Sequence, residues 1–123
     1  MSQLDLLNPS AIPAQDEALR QDVWAFLTKA MRGVPAHVRA SSWMGYDLEF
    51  SRELVRRGWL GITFAPAYGG AGRSAFARDV LVEEFLNFGA PVGSHWIADR
   101  QSGPSLLKYG TEAQKQRYLP VVI

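Results

Sequence analysis

Apolar residues recur along this chain at the three- and four-residue spacing of an α-helix, in segments separated by glycine and proline. The first segment predicts a helix over residues 16–31, which Gly33 and Pro35 end. The apolar stripe of this helix consists of Leu19, Val23, Phe26, Leu27 and Ala30. The preceding residues 1–15 show little periodicity, so we expect a loose lead-in there.

Two more segments predict a second and a third helix. The second covers residues 46–57 after an irregular stretch from 34 to 45, and Gly58 provides a left-handed stop. The third follows Ser74 as its N-cap and runs to about residue 88. Because apolar side chains surround most of the third helix, we expect it to be the central helix of a bundle. The buried face of the second helix is predicted to consist of Tyr46, Phe50, Leu54 and Val55.

The last third of the chain predicts two further helices. The fourth runs from about residue 93 to Tyr109, and Pro104 inside it predicts a kink near the preceding residue. The fifth opens at Thr111 with Gln114 three residues later, which is the pattern of a capping box. No segment alternates as a strand would, so the chain predicts an all-α fold, a compact bundle of about five helices.

The connection between the second and third helices, residues 58–72, is unusual in composition. It holds five glycines and one proline together with large apolar side chains. Glycine frees the backbone whereas the apolar side chains favour burial, so we expect an ordered connection packed on the core. Its end, residues 69–74, leads into a helix N-terminus and could bind an anion. A structural loop is favoured, because no strand precedes it and no lysine of a phosphate-binding loop follows.

Composition narrows the class of protein. A chain of 123 residues with 47% hydrophobic residues makes one domain with a real core, which we place at residues 16–123. The net charge of +1 gives no reason to expect nucleic acid as a partner, and no apolar run reaches the roughly 20 residues needed to span a bilayer. The chain has no cysteine, and its start lacks a basic leader, which favours a cytoplasmic protein. Its apolar end suggests that more protein follows.

Few side chains suggest chemistry on their own. The two histidines, His37 and His95, lie far apart without acidic partners at metal-ligand spacing, so no metal site is expected. His95 either packs in the core or faces a ligand. Glu83 and Glu84 are adjacent on a helix and point about 100° apart, so they cannot act as facing carboxylates. We expect one to be solvated and the other to pair with an arginine.

One face of the fourth helix mixes small, apolar and polar residues. Helical spacing places Ser94, Ile97, Gln101 and Ser105 on this face. Small residues there either leave room for a ligand or allow close helix packing, and the spacing alone favours packing.

Three stretches in order and spacing resemble the N-terminal helical domain of the acyl-CoA dehydrogenases. They are the connection with its flanks (residues 57–72), the Val-Leu-Val-Glu-Glu-Phe segment (80–85) and the segment from Gly-Pro-Ser to the capping box and beyond (103–120). The resemblance runs from about residue 16 to residue 123. It implies that a middle β-domain and a C-terminal four-helix bundle complete the enzyme, and both are absent from this chain.

The resemblance also implies an activity. Members of the family bind FAD, oxidise the Cα–Cβ bond of an acyl-CoA thioester with a glutamate base, and pass electrons to an electron-transfer flavoprotein, usually as tetramers. The base belongs to the C-terminal domain, so no catalytic residue is expected in this chain, and flavin is bound mainly by the missing domains. The alternatives are a non-catalytic helical subunit of a heteromeric dehydrogenase, or an acyl-CoA oxidase of related fold.

The resemblance assigns a role to the fourth helix, because the corresponding helix of the family lines the far end of the acyl pocket. The matching substrate-binding positions are Ser94, Ile97 and Gln101. The neighbouring Asp99 and Arg100 make this segment polar for a fatty-acyl tunnel. That polarity suggests a bulky or oxygenated acyl group, such as a sterol-derived one.

Overall fold

The computed structural model of the chain describes residues 10–123, and these residues form the predicted all-α bundle, without a strand among them. Most of the lead-in predicted for residues 1–15 lies outside the described residues. Short 3₁₀ turns occupy Ser42–Met44 and Pro66–Tyr68, and a π-helical turn occupies Ala98–Ser102. The α-helices are α1 Ala14–Glu17, α2 Leu19–Ala30, α3 Ala36–Ala40, α4 Leu48–Arg56, α5 Ala75–Asn87, α6 Gly93–Ile97, α7 Gly103–Tyr109 and α8 Glu112–Val122.

The first predicted helix is present but is divided into α1 and α2 around Ala18. Four of the five predicted stripe residues of α2 are buried, as expected for an amphipathic helix. Ala30 is the exception, because it lies at the rim of an open groove of about 550 Å³ rather than in the core. Met31, one residue later, is buried instead.

The second predicted helix is shorter than its periodicity suggested. Asp47 is the N-cap of α4, and its Oδ1 accepts a hydrogen bond from the backbone N–H of Phe50 at 2.8 Å. Tyr46 therefore lies outside the helix and is 67% exposed, and Val55 also faces solvent, so the predicted buried face is wrong at both positions. Gly58 ends the helix with φ of 68°, as predicted.

The stretch from 34 to 45, predicted as irregular, contains α3 and a 3₁₀ turn. No residue of α3 is buried, so this helix has no apolar stripe for a sequence pattern to reveal.

Helix α5 packs against α1 and α2 and forms the centre of the bundle, as predicted. Ser74 is its N-cap, with Oγ accepting from the N–H of Ala77 at 3.1 Å. Its buried side chains are Ala77, Val80, Leu81, Glu84 and Phe85. Leu86 faces solvent, so the helix is covered on most sides rather than all round.

The fourth predicted helix comprises α6, the π-helical turn and α7, which follow one another without a break in helical backbone conformation. Pro104 lies in the first turn of α7, and the irregularity falls in the π turn just before it. Helix α8 begins with the predicted capping box: Thr111 N–H donates to Gln114 Oε1 at 2.8 Å, and Gln114 N–H donates to Thr111 Oγ1 at 3.3 Å.

The glycine-rich connection packs on the core, as predicted from its composition. Trp59, Leu60, Ile62 and Phe64 are all buried. The ring of Trp59 meets the ring of Phe26 edge-on, with centroids 5.5 Å apart. None of the helices within residues 10–123 is both long and apolar enough to cross a membrane.

Candidate functional site

The three predicted substrate-binding residues lie together on the outer face of the fourth helix. Ser94 and Gln101 are exposed, and Ile97 is 57% exposed despite being apolar. Ser105 lies exposed on the same helix one turn further. The close packing that spacing alone favoured is therefore not made by the residues that the structure describes. The face is available to a ligand or to another part of a larger protein.

The opposite side of the same helix turns toward α5 and the connection. His95 and Asp99 line a small cavity of about 40 Å³. His95 is half-buried, its Nε2 lies 3.2 Å from Ser51 Oγ, and burial lowers its pKa below the ordinary value of 6.5. These contacts favour the packed interpretation of His95. The other residues lining the cavity include Trp59, Leu60, Arg78, Leu81, Phe85 and Trp96.

Asp99 is the most unusual polar group of this inner side. Burial raises the pKa of its carboxyl, and the charge of Arg78, the backbone N–H of Gly61 and the charge of Arg100 oppose that rise. Its Oδ1 is buried and has no hydrogen-bond partner among residues 10–123. The sequence marked Asp99 only as a polar residue near the acyl pocket, whereas the structure places it on the inner side of the helix.

Two stacked tryptophan rings lie beside the fourth helix, one of them from the helix itself. The rings of Trp43 and Trp96 have centroids 4.2 Å apart, and the Arg100 guanidinium lies 4.3 Å from the centroid of the Trp96 ring. Trp43 was not predicted as part of this site, because it lies in the stretch predicted as irregular. Arg100 follows Trp96 by four residues, a spacing at which side chains on a helix are neighbours.

The glutamate pair of α5 largely follows the prediction. Glu84 pairs with Arg20 and only 6% of its side chain is accessible. Glu83 is exposed, with 62% of its side chain accessible, but its Oε2 also lies 2.9 Å from Arg20 Nη1. Trp24 Nε1 also donates to Glu84 at 2.6 Å. A carboxylate held by an arginine and an indole is not free to act as a general base.

The loop before α5 already holds an anion from this chain. Asp16 is 2% exposed, and its carboxylate accepts from Ser74 Oγ at 2.7 Å and from Arg73 Nη2 at 3.3 Å. The structural interpretation of residues 69–74 therefore holds, because the groups that could bind a phosphate bind Asp16 instead.

Neither the 40 Å³ cavity nor the 550 Å³ groove fits a flavin. The 40 Å³ cavity is far too small for a flavin ring, since ligand pockets for such molecules measure roughly 300–1,000 Å³. The larger groove of about 550 Å³ has Asp47, Glu49 and Glu53 in its lining, and these carboxylates would repel the pyrophosphate of a dinucleotide. No group of three or more histidine, aspartate or glutamate side chains within residues 10–123 is arranged to hold a metal ion.

The bundle with its packed glycine-rich connection and capped last helix is the architecture of a known class of domain. The family model described as "Acyl-CoA dehydrogenase, N-terminal domain" matches residues 13–123, and the chain belongs to this family.

Several relatives are similar over most of the chain. It is 29% identical to the acyl-CoA dehydrogenase FadE26 of Mycobacterium tuberculosis over 86% of its length, and 30% identical to a mitochondrial isovaleryl-CoA dehydrogenase of Pongo abelii over 93%. It covers only 27% of each of these relatives.

Two solved structures are similar in fold as well as in sequence. A structure titled "Tcur3481-Tcur3483 steroid ACAD" superposes with a TM-score of 0.69 at 34% identity, over 89% of this chain and 29% of that one. The ChsE4-ChsE5 complex from Mycobacterium tuberculosis superposes with a TM-score of 0.66 at 28% identity, over 94% of this chain and 29% of that one.

Proposed function

We propose that the chain is the N-terminal domain of an FAD-dependent acyl-CoA dehydrogenase, which as a complete enzyme oxidises the Cα–Cβ bond of an acyl-CoA thioester. The observation that carries this proposal is the family match over residues 13–123, together with a fold shared at 34% identity with a dehydrogenase structure. The domain shapes the acyl pocket and contacts the other domains, and it contributes no catalytic residue.

The outer face of the fourth helix supports a role in the acyl pocket. Ser94, Ile97 and Gln101 form one surface of mixed polarity, and none of them is covered by the rest of the described chain. An apolar side chain such as Ile97, left 57% exposed between two polar ones, suits contact with an acyl group that is partly polar. We therefore assign these three residues to substrate binding.

The substrate class follows from that mixture of polarity. Ser94 and Gln101 can hydrogen-bond an oxygen on the acyl group, whereas a plain fatty-acyl chain would leave both groups unsatisfied. We propose a bulky or oxygenated acyl-CoA, such as a sterol-derived one, in the β-oxidation of sterol side chains or fatty acids. The similarity to the "Tcur3481-Tcur3483 steroid ACAD" structure supports this class.

The remaining partners come from the family. FAD supplies the hydride acceptor when bound, and we assign its binding mainly to domains outside this chain. We propose an electron-transfer flavoprotein as the electron acceptor and a cytoplasmic homo- or heterotetramer as the assembly. The similarity to the ChsE4-ChsE5 complex supports a heteromeric assembly.

The domain assignment can be tested on the 123-residue chain itself. We expect the purified chain to be colourless and to show no dehydrogenation of any acyl-CoA, because we assign flavin binding and the catalytic base mainly to domains outside this chain. Flavin absorbance and acyl-CoA turnover measure this directly. Stoichiometric FAD together with turnover would show that the chain is a complete enzyme and that the assignment is wrong.

The pocket assignment can be tested in the complete enzyme with Gln101→Leu. We expect this substitution to reduce kcat/KM for an oxygenated acyl-CoA by about tenfold relative to a plain acyl-CoA, because one hydrogen bond to the substrate is lost. Flavin content should stay the same. An unchanged substrate profile would count against Gln101 as a pocket residue.

Electron-acceptor assays separate the two alternatives. Reduction of oxygen in place of an electron-transfer flavoprotein identifies an oxidase. A complete protein that lacks flavin but binds an intact dehydrogenase identifies the non-catalytic subunit.

A further inference from the structure

We propose that the glycine-rich connection fixes the rotation of the fourth helix about its own axis, with Asp99 and Gly103 as the positioning residues on that helix. We call this contact between the connection and the helix the seat. The seat turns Ser94, Ile97 and Gln101 outward, so it determines acyl-group specificity without touching the substrate. This inference rests on the proposed function for its consequence, but the seat itself rests on contacts within the chain.

The first contact of the seat is steric. Gly103 is buried, and a Cβ at this position would lie 2.2 Å from Cζ of Phe64 and 3.0 Å from the carbonyl oxygen of Ala98. Phe64 is 1% exposed, so its ring has little room to move away. Only glycine allows the helix to approach the connection this closely.

The second contact is polar and lies four residues earlier. Asp99 lines the same cavity of about 40 Å³ as Leu60 and Arg78. Leu60 belongs to the connection and Arg78 to α5, so the side chain of Asp99 faces both elements from the fourth helix. A buried carboxylate with one unpartnered oxygen is costly, and such a group is more readily explained by positioning than by stability.

The two contacts lie on the same side of the fourth helix. Residues four apart in a helix are rotated by only about 40° from each other, so Asp99 and Gly103 point in similar directions. Asp99 belongs to the π turn Ala98–Ser102, which directly precedes Gly103. The steric and the polar contact therefore face the same connection, and each limits rotation of the helix.

The consequence for the outer face is geometric. A rotation by one residue is about 100°, which would replace Ile97 and Gln101 on the outer face by their neighbours. Much smaller rotations matter for specificity, since a misplacement of about 1 Å in a binding site can cost up to about 100-fold in rate.

A double-mutant cycle of unfolding stability at Gly103 and Phe64, measured on the 123-residue chain, tests whether the seat exists. We expect Gly103→Ala to lower the denaturation midpoint even though alanine favours a helix over glycine, because its methyl group meets the Phe64 ring. Phe64→Leu lowers the midpoint as well, but the double variant should be more stable than the sum of the two losses predicts. A raised midpoint for Gly103→Ala, or strictly additive losses, would overturn the seat.

Substrate profiles of the complete enzyme test the positioning role. We expect Gly103→Ala to change the ratio of kcat/KM between a bulky and a short acyl-CoA by about tenfold, and the double variant with Phe64→Leu to restore most of it. Asp99→Ala should change the same ratio, and Asp99→Asn, which keeps the size of the side chain and one acceptor oxygen, should change it less. Asp79→Ala, an exposed substitution on α5, is the matched control and should leave the ratio at the parent value.

The outcomes separate this inference from the proposed function. If Gln101→Leu alters the profile but the Asp99 and Gly103 variants lower kcat/KM equally for all substrates, the seat is only structural and the positioning role is wrong. If Gly103→Ala does not fold, the two Asp99 variants decide the question. A parent enzyme that does not oxidise acyl-CoA overturns the proposed function and the specificity role with it, while the stability cycle still decides whether the seat exists.

Discussion

At the scale of single residues, burial explains which side chains of the connection matter for stability. Trp59 is 7% exposed and touches the rings of Phe26 and Phe85, and the Arg57 guanidinium lies 5.2 Å from the centroid of the Trp59 ring. Its indole therefore joins α2 and α5 through the connection. Trp43 is 45% exposed and stacks mainly on Trp96, so the same residue type has a smaller role there.

We predict that Trp59→Ala lowers the free energy of unfolding by about 3–5 kcal/mol, because it removes a large buried ring and leaves a cavity. Chemical denaturation of the chain measures the loss. Trp43→Ala is the matched control and should cost about 1 kcal/mol, the contribution of one exposed aromatic pair. A loss below about 1 kcal/mol for Trp59→Ala would mean that the ring does not belong to the core.

At the scale of elements, α2 and α5 form the main helix pair, and their contact contains an ionic bridge. Arg20 of α2 reaches both glutamates of α5 as well as Glu17, and these hydrogen bonds raise the pKa of Arg20 above its ordinary value. The two glutamates share the arginine but differ in exposure, since Glu83 faces water and Glu84 is enclosed. We therefore expect Glu84 to contribute more than Glu83 to the stability of this helix pair.

We predict that Glu84→Gln lowers the free energy of unfolding by about 2 kcal/mol, because a charged hydrogen bond in a buried site is lost while the Trp24 indole keeps an acceptor. Glu83→Gln provides the matched control, and its effect should stay below about 1 kcal/mol, as for other exposed ion pairs. Denaturant titration of both variants makes the comparison. Equal effects at the two positions would contradict the assignment of Glu84 as the buried partner.

At the scale of the whole molecule, two titratable groups lie on the same inner side of the fourth helix, with pKa shifts of opposite sign. Burial lowers the pKa of His95, so the folded state prefers the neutral ring, and it raises the pKa of Asp99, so the folded state prefers the protonated carboxyl. The stability that His95 contributes is present above pH 6.5 and is lost as the pH falls from there through its folded pKa. The contribution of Asp99 has the opposite sign, because it is present at low pH and is lost as the pH rises from 3.8 through its folded pKa.

We predict that the chain loses stability when the pH falls from 7 to 5, and that His95→Gln makes this loss smaller, because the substituted side chain cannot take up a proton. Denaturation midpoints of the parent and the variant at the two pH values measure the effect. A pH dependence in His95→Gln as steep as in the parent would show that His95 is not the group responsible.

Local patterns were sufficient for much of the fold. The stop at Gly58, the N-cap at Ser74 and the capping box at Thr111 were all predicted, because each depends on residues within one turn of the chain. The stripe of α2 was predicted with the exception of Ala30. At Tyr46 the apolar spacing led to a wrong prediction. Tyr46 continues the apolar spacing of α4, but it lies before the N-cap Asp47 and so outside the helix.

By itself, then, the sequence determined an all-α domain, the packed glycine-rich connection, the pairing of one α5 glutamate with an arginine, and a resemblance to the acyl-CoA dehydrogenases that the family match confirms. Helical periodicity and capping are properties of neighbouring residues, so these features can be derived from spacing alone. Only the tertiary structure decided which side of the fourth helix faces inward, that Asp16 occupies the loop before α5, and that Gly103 meets Phe64. These outcomes depend on partners about 40 to 60 residues apart in the chain, and a helix of mixed polarity carries no local pattern that selects one rotation over another.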